Sequence, residues 1–295
     1  MKGLLVPFAF CLLLVCPILA ADAPVVSTLP EVITYGPALT EEMPVGGTQR
    51  PEWTSARRFT GTRVYLQKEP WEGGAESWWR LKHHRDGSLS HRLLEEVEIG
   101  LPGRVQLDLY NDIEGDQRGK FHYQSFNTEV RWAPADWGRI WGNPTFYGEY
   151  KFADHHWGPD VYEFKLLLGD QFGKRWHYGI NFVWEAETGH DREQEFQIPA
   201  GLSYTVIDRK LSIGVESLYD RDTVKGERGS PAHQFNVGPS IQFRPFPRLH
   251  VDLSCMFGVN RRSDHQIAFL IVGYDFGPVV KTDRAYAPAG GRGGN

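Results

Sequence analysis

The sequence predicts an all-β fold, a closed antiparallel transmembrane β-barrel of about 12 strands. Apolar and polar residues alternate with a period of two over segments of about ten residues, the length that a tilted strand needs to cross a bilayer. Aromatic residues such as Trp132, Phe152 and Trp176 stand at the ends of these segments, where amphipathic rings favour the membrane interface. Short and long connections alternate, as in bacterial outer-membrane barrels.

Two segments are predicted to precede the barrel. Residues 1–21 combine a lysine, an apolar run and the small pair Ala20–Ala21, which is typical of a secretory signal peptide. Residues 22–75 are rich in Pro, Thr, Glu and Gly, and we expect them to form an extended N-terminal periplasmic arm. Within this arm only Phe59–Lys68 suggests a short strand.

Residues 76–276 are predicted to form the barrel wall. The alternation is clearest in the second half, where Trp176 and Tyr178 share one face of a strand and His177 and Gly179 share the other. The predicted strands are 76–85, 89–100, 104–114, 121–132, 144–152, 160–169, 175–186, 195–207, 210–220, 233–244, 248–258 and 266–276. Most connections follow the alternation of short and long, but residues 133–143 are long where a tight turn is expected.

Composition and charge exclude two classes of protein. The chain has 32 Lys and Arg against 37 Asp and Glu, so no basic surface for nucleic acid is expected. The mean hydropathy is negative, which excludes a bundle of membrane helices. A barrel needs apolar residues only at alternate wall positions, so it accommodates this polar average together with 10 Trp, 12 Tyr and 17 Phe.

The last predicted strand ends in Val272-Gly273-Tyr274-Asp275-Phe276. It resembles the closing strand of bacterial outer-membrane barrels, whose alternate aromatic residues are read by the barrel-assembly machinery. The resemblance implies that Tyr274 and Phe276 contact this machinery. The family signal usually ends the chain, whereas here residues 277–295 follow, and their glycines predict a disordered C-terminal tail.

The body of the chain, from about residue 76 to 276, is similar to small uncharacterised outer-membrane proteins grouped with meta-pathway phenol-degradation transporters. The similarity rests on the overall pattern of apolar and polar residues and on segments such as Arg92-Leu93-Leu94-Glu95-Glu96-Val97-Glu98-Ile99-Gly100. It implies a protein of the bacterial cell outer membrane, with outer-membrane lipid and lipopolysaccharide as its surroundings.

The polar phase of the strands supplies the predicted lumen, in which acidic side chains outnumber basic ones. The candidates for lining the lumen and selecting solutes are Glu149, Lys151, Glu163, Lys165, Glu185, Glu216, Arg244 and Asp252. The first four form two acid–base pairs on adjacent strands, and antiparallel pairing is expected to set acid opposite base. Fixed charge in a narrow pore orders the ions that pass, so the excess of acids predicts a preference for cations.

Three functions stay open. The leading prediction is a porin-like barrel for passive passage of small polar or aromatic solutes, and the alternative is a non-conducting structural barrel that presents surface loops. A lipid-modifying hydrolase is the third possibility. Its one candidate site is His250, Asp252 and Ser254, which share one face of a predicted strand. Residues two apart on a strand lie about 6.6 Å apart, too far for a direct relay. We therefore predict no enzyme, no catalytic residue, no metal site and no cofactor.

Overall fold

The computed structural model describes residues 39–189 and 192–278. The predicted signal peptide, residues 22–38 of the predicted arm and residues 279–295 of the predicted tail lie outside the described residues. In the part of the chain that the structure describes, no helix is long and apolar enough to cross a membrane.

Antiparallel strands form a closed barrel in which every strand pairs with its neighbour in sequence. A two-residue ladder pairs β1 (Pro44–Val45) with β2 (Arg50–Pro51). The twelve barrel strands of the described chain are β3 (Gly73–His83), β4 (Leu89–Leu101), β5 (Val105–Asp116), β6 (Phe121–Trp132), β7 (Thr145–Ala153), β8 (Val161–Phe172), β9 (Trp176–Glu187), β10 (Gln194–Ile207), β11 (Leu211–Thr223), β12 (Ala232–Phe246), β13 (Leu249–Gly258) and β14 (Gln266–Phe276). The predicted closed barrel of about 12 strands is confirmed.

Pairing of the last strand with the first closes the wall. Along this seam Phe276 of β14 stands opposite Gly73 of β3, and Gln266 stands opposite His83. Closure gives the backbone groups of both strands a partner, which hydrocarbon requires because it offers no water. The wall therefore begins at Gly73, slightly earlier than the sequence predicts, and it ends at Phe276 as predicted.

Apolar side chains cover the outer surface of the wall. Val97, Val215 and Phe257 are exposed there, and rings such as Trp132 and Phe146 stack on each other across neighbouring strands. A soluble monomer rarely exposes apolar area on this scale. Lipid-facing strands require it, so the closed wall is a membrane-spanning barrel.

Residues 39–72 fold against the inside of the barrel and do not form an extended periplasmic arm; residues 50–69 are almost all buried, while the two ends reach the rim, where Met43 and Trp71 are exposed. We call these residues the luminal segment. It contains two short 3-10 helices, Thr40–Glu42 and Glu52–Ser55, while Phe59–Lys68 follows an irregular path where a strand was predicted. The prolines that suggested an extended arm are compatible with this compact path: Pro44 and Pro51 pair in the short β1–β2 ladder, and Pro70 forms a single bridge with Gly100.

A row of glycines in the wall makes room for the luminal segment. Gly169, Gly179 and Gly201 stand opposite one another on β8, β9 and β10 and face the lumen. A Cβ atom at Gly201 would lie 2.4 Å from the Phe59 ring, and one at Gly179 would lie 2.7 Å from the Val64 side chain. Larger residues in this row would push the segment away from the wall.

We predict that Gly201→Leu displaces the luminal segment, because the new side chain and the Phe59 ring would claim the same space. The measurement is limited trypsin digestion of the refolded protein, since the segment contains Arg57, Arg58 and Arg63 in buried positions. Wild-type protein should resist cleavage there, and the variant should be cut.

The matched control is Gly148→Leu on the outer face of β7, where the Phe164 ring lies at an ordinary distance of 3.8 Å. This variant should resist trypsin as the wild type does. Equal resistance of the Gly201 variant would contradict the packing of Phe59 on this glycine row.

Candidate functional site

The luminal segment fills the half of the barrel that lies nearest the short turns. Its apolar anchor is Trp53, which is 1% exposed and meets the edge of Trp137, with ring centroids 5.7 Å apart. Tyr65 also packs on Trp137, and its hydroxyl donates a 2.7 Å hydrogen bond to the Ala135 carbonyl. The connection 133–144, which is longer than a tight turn, therefore provides the seat for the segment.

The start of the segment is tied to the turn between β10 and β11. Asp208 accepts hydrogen bonds from the backbone N–H of Thr40 at 2.8 Å and of Glu41 at 3.1 Å. The Glu41 carboxylate accepts a hydrogen bond from the Thr205 hydroxyl and pairs with Arg58 at 3.1 Å. These contacts hold residues 40 and 41 across the mouth of the barrel.

Glu69 organises the fold of the segment around its own carboxylate. It accepts hydrogen bonds from the Gly47 N–H at 3.0 Å, the Thr48 hydroxyl at 2.7 Å and the Arg50 guanidinium at 3.2 Å. Gly46 has a φ of 66°, and a Cβ atom there would lie 2.0 Å from the Glu69 side chain. The β1–β2 ladder thus wraps a buried carboxylate that its own backbone satisfies.

Ion pairs join the segment to the wall. Each of three cations on the segment reaches carboxylates that line the lumen: Arg57 with Glu76 at 3.0 Å, Arg63 with Glu96 at 3.0 Å, and Lys68 with Glu98 at 3.1 Å and Asp275 at 2.5 Å. Arg131 of the wall adds pairs with Glu129 and, at 2.5 Å, with Asp108. We call these nine groups and Asp275 the ionic network.

The charge of Lys68 is fixed by its surroundings. Burial alone would lower the pKa of Lys68, but the carboxylates of Glu98 and Asp275 raise this pKa above its ordinary value. A raised folded-state pKa means that the contribution to stability is fully present below the ordinary lysine pKa of about 10.4 and is lost only as the pH rises beyond it.

We predict that Lys68→Met lowers the free energy of unfolding by about 3–5 kcal/mol, because it removes the nearest cation from the buried Glu98 carboxylate and from the partly buried Asp275 carboxylate. Urea unfolding of the refolded protein in detergent, followed by tryptophan fluorescence, measures this change at pH 7. Lys210→Met in an exposed turn is the matched control and should cost little. Equal stability of the two variants would contradict the ionic network.

A cavity occupies the half of the barrel nearest the long loops. We call it the vestibule; its volume is about 460 Å³. The luminal segment forms its floor through Arg57, Thr60, Gly61 and Arg63. Charged side chains line its walls, and Trp78 lies at the floor under the guanidinium of Arg57, 3.6 Å from the ring centroid.

The structure separates the eight predicted lumen residues into two groups. Five of them line the vestibule: Glu149, Lys151, Glu163, Lys165 and Glu185. The other three lie deeper, around the luminal segment. Glu216 accepts hydrogen bonds from the Thr60 and Gly61 N–H groups, Asp252 pairs with His250, and Arg244 donates to the Pro247 carbonyl. The role of all eight in selectivity stays a prediction.

The predicted pairing of acid opposite base on β7 and β8 is wrong. Glu149 stands opposite Glu163, and Lys165 stands opposite Tyr147. The ion pairs form within a strand and between non-adjacent strands instead. Lys165 pairs with Glu163 of its own strand at 2.6 Å, and Lys151 of β7 pairs with Glu185 of β9 at 2.6 Å. The register depends on the connection 154–160, whose geometry the alternation pattern does not specify.

The Glu149 carboxylate is held by two phenols. The hydroxyls of Tyr110 and Tyr147 each donate a hydrogen bond to one of its oxygens. Lys165 lies over the face of Tyr147, 4.1 Å from the ring centroid. These contacts fix the positions of charges on the β7–β8 side of the vestibule.

The residues considered for hydrolysis do not assemble a relay. His250 and Asp252 are hydrogen-bonded at 2.5 Å, contrary to the sequence estimate, but the Ser254 hydroxyl contacts the Thr60 hydroxyl at 2.6 Å. All three residues are buried beside the luminal segment. This arrangement gives Ser254 no base and no route to a lipid substrate.

Two groups of carboxylates lie close enough to share a cation. Glu76 with Glu96 and Glu98 form one group, and Glu96 with Asp108 and Glu129 form the other. Both groups already surround guanidinium cations, since Arg63 reaches Glu96 and Arg131 reaches Asp108. The ionic network therefore uses these carboxylates to hold the segment.

Three comparisons with known proteins bear on this fold. Residues 148–269 match the model of a family described as "Putative MetA-pathway of phenol degradation". An outer-membrane channel from Pseudomonas putida F1 is 9% identical, with a TM-score of 0.53, and the match covers 75% of this chain and 100% of that chain. The NanC porin is 11% identical with a TM-score of 0.49, covering 70% of this chain and 100% of that chain. A comparison with curated proteins gives no match.

The family match over residues 148–269 confirms the resemblance that the sequence predicts. At 9% identity, the likeness to the Pseudomonas channel shows a shared fold. Together with the closed wall and its apolar exterior, that fold places the chain among bacterial outer-membrane barrels. In such barrels the short turns are periplasmic and the long loops are extracellular, so the vestibule faces outward and the luminal segment faces the periplasm.

Proposed function

We propose that this protein is a porin-like channel for the passive passage of small polar or aromatic solutes. The observation that carries the proposal is the vestibule, a cavity of about 460 Å³ lined by charged groups of both signs. A barrel that served only as a scaffold would gain nothing from a large polar space in this half of its lumen. Fixed charges around such a space attract and order hydrophilic solutes.

The luminal segment is the obstacle on the route from the vestibule to the periplasm. Hydrogen bonds, ion pairs and side-chain packing attach it to the wall, as at Lys68 with Asp275 and Thr60 with Ser254. Passage therefore requires this segment to shift. We include that movement in the proposal, because the segment is held by contacts that can break and re-form.

We predict that single-channel recordings of the refolded protein show small conductance events, and that fixing the segment suppresses them. The variant Thr60→Cys/Ser254→Cys, made in a Cys255→Ala background, places two thiols where hydroxyls now touch at 2.6 Å. Oxidation should reduce the conductance toward zero, and a reducing agent should restore it.

The Cys255→Ala protein without the two new cysteines is the control and should ignore both reagents. No conductance of wild-type protein in any salt or at any voltage would reject the channel. Conductance that is unchanged by oxidation, with the disulfide verified by mass spectrometry, would reject movement of the segment.

The excess of acids predicts cation preference, and Glu163 tests it most directly. This carboxylate lies between Lys165 at 2.6 Å and Lys151 at 3.8 Å, so Glu163→Gln leaves two cations less balanced. The reversal potential in a salt gradient should shift toward anion preference relative to wild type. Glu227→Gln in an exposed loop is the control, and an equal reversal potential for all three proteins would contradict the assignment.

One observation favours the non-conducting barrel as a second candidate. The ionic network and the Trp53 anchor fill the periplasmic half of the lumen with buried side chains. Such filling is also what a scaffold that displays loops would use to stabilise a narrow barrel. The conductance measurement separates the two candidates.

A further inference from the structure

Two groups of opposite charge in the vestibule have no direct partner. Arg80 of β3 and Asp220 of β11 both line this cavity. Neither side chain makes a hydrogen bond or an ion pair within residues 39–189 and 192–278. Asp220 is only 5% exposed, and one of its carboxylate oxygens is buried without a hydrogen-bond partner among those residues. The charges of the ionic network all have partners at close range, whereas these two groups do not. A buried charge without a partner lowers the stability of the folded protein.

The strand register makes the position of Arg80 more costly still. Arg80 stands directly opposite Arg92 across the β3–β4 pair, and Lys82 lies two positions further along the same face. Like charges opposite each other destabilise a sheet. Asp112, an acid that lines the same cavity, already accepts two hydrogen bonds from Arg92, and Glu114 stands directly opposite Arg92 in the β4–β5 pair. Arg80 therefore lines the vestibule beside a second cation, Arg92, to which Asp112 is already bound.

The opposite side of the vestibule is acidic. Strands β9 to β11 contribute Glu185, Glu187, Glu195 and Asp220 to its lining. In the order of strands around the barrel, β9 and β10 lie across from β3 and β4. Glu195 accepts a hydrogen bond from Gln197, whereas Asp220 accepts none among the described residues. Asp220, four strands from Arg80 along the wall, is thus a buried acid of this cavity to which no group of the described chain donates a hydrogen bond.

Apolar side chains lie next to both unpaired groups. Phe269 stands opposite Arg80 in the β14–β3 pair, and Leu218 lies two positions from Asp220 on the same face of β11. Both residues line the vestibule. The surface between the two charges therefore offers contact to a small apolar group.

We propose that the vestibule binds a zwitterion of the α-amino-acid class. Its carboxylate would pair with Arg80, its ammonium group with Asp220, and its side chain would contact Phe269 and Leu218. A zwitterion satisfies both unpaired charges, whereas a solute with one charge leaves the other group unpaired. The volume of about 460 Å³ lies in the range of small-molecule sites. This inference rests on the proposed channel and names the solute class that the channel would take up.

Three probes with nearly the same apolar body test the inference: L-leucine, 4-methylpentanoate and 3-methylbutylamine. Titration calorimetry of the refolded full chain in detergent gives the Kd of each. Leucine should bind about ten- to a hundredfold more tightly than either singly charged probe, as expected for one additional charged hydrogen-bonding group. Equal affinity for all three would overturn the inference.

Two variants assign the ends of the zwitterion. Arg80→Met should raise the Kd of leucine and of 4-methylpentanoate but leave the Kd of 3-methylbutylamine as in the wild type. Asp220→Asn should raise the Kd of leucine and of 3-methylbutylamine but leave the Kd of 4-methylpentanoate unchanged. The retained probe shows that each variant has folded, and the exposed loop variants Arg118→Met and Glu227→Gln should change no Kd. Loss of leucine binding that does not split in this way would overturn the assignment of the two residues.

The channel and the zwitterion site can be rejected independently of each other. A wild-type protein that conducts potassium chloride but does not prefer leucine keeps the channel and rejects the zwitterion site. A protein that binds leucine with the predicted pattern but never conducts keeps the site and rejects the channel. Leucine that binds and also reduces the potassium chloride current supports both.

Discussion

Pairing of charge inside a narrow barrel is the constraint on which the rest of this structure depends. The wall is surrounded by hydrocarbon, so its outer face must be apolar, and its alternate residues must turn their polar groups inward. These inward groups are crowded and poorly hydrated in the periplasmic half, where Glu98, Asp108 and Arg131 are fully buried. Such charges are tolerated only when each has a partner at close range.

The luminal segment supplies those partners. Arg57, Arg63 and Lys68 bring cations to wall carboxylates that would otherwise repel one another. The wall in turn supplies the glycine row and the long connection 133–144, where Phe59 and Trp137 complete the apolar contacts. Segment and wall therefore stabilise each other, because neither the cations nor the carboxylates can remain buried alone.

This mutual neutralisation ends at the vestibule. Beyond Arg57 and Arg63 the lumen holds the vestibule, and Arg80 and Asp220 line it without a hydrogen bond or an ion pair among the described residues. The same rule that explains the ionic network therefore marks the place where the barrel departs from it. A buried acid without a partner at a solvent-reachable cavity is expected where a solute, and not the protein, completes the charge balance.

The sequence alone determined the barrel. A period of two assigns the face of each residue, and segments of about ten residues with aromatic ends require a bilayer, so strand number, closure and the luminal position of Glu149, Glu163 and Asp252 followed from local pattern. Arg80 escaped notice because the first barrel strand alternates poorly around Trp78 and Trp79. Only the tertiary structure decided what fills the lumen and which charges meet. The register of β7 on β8 and the path of residues 39–72 depend on contacts between distant parts of the chain, and local periodicity carries no information about such contacts.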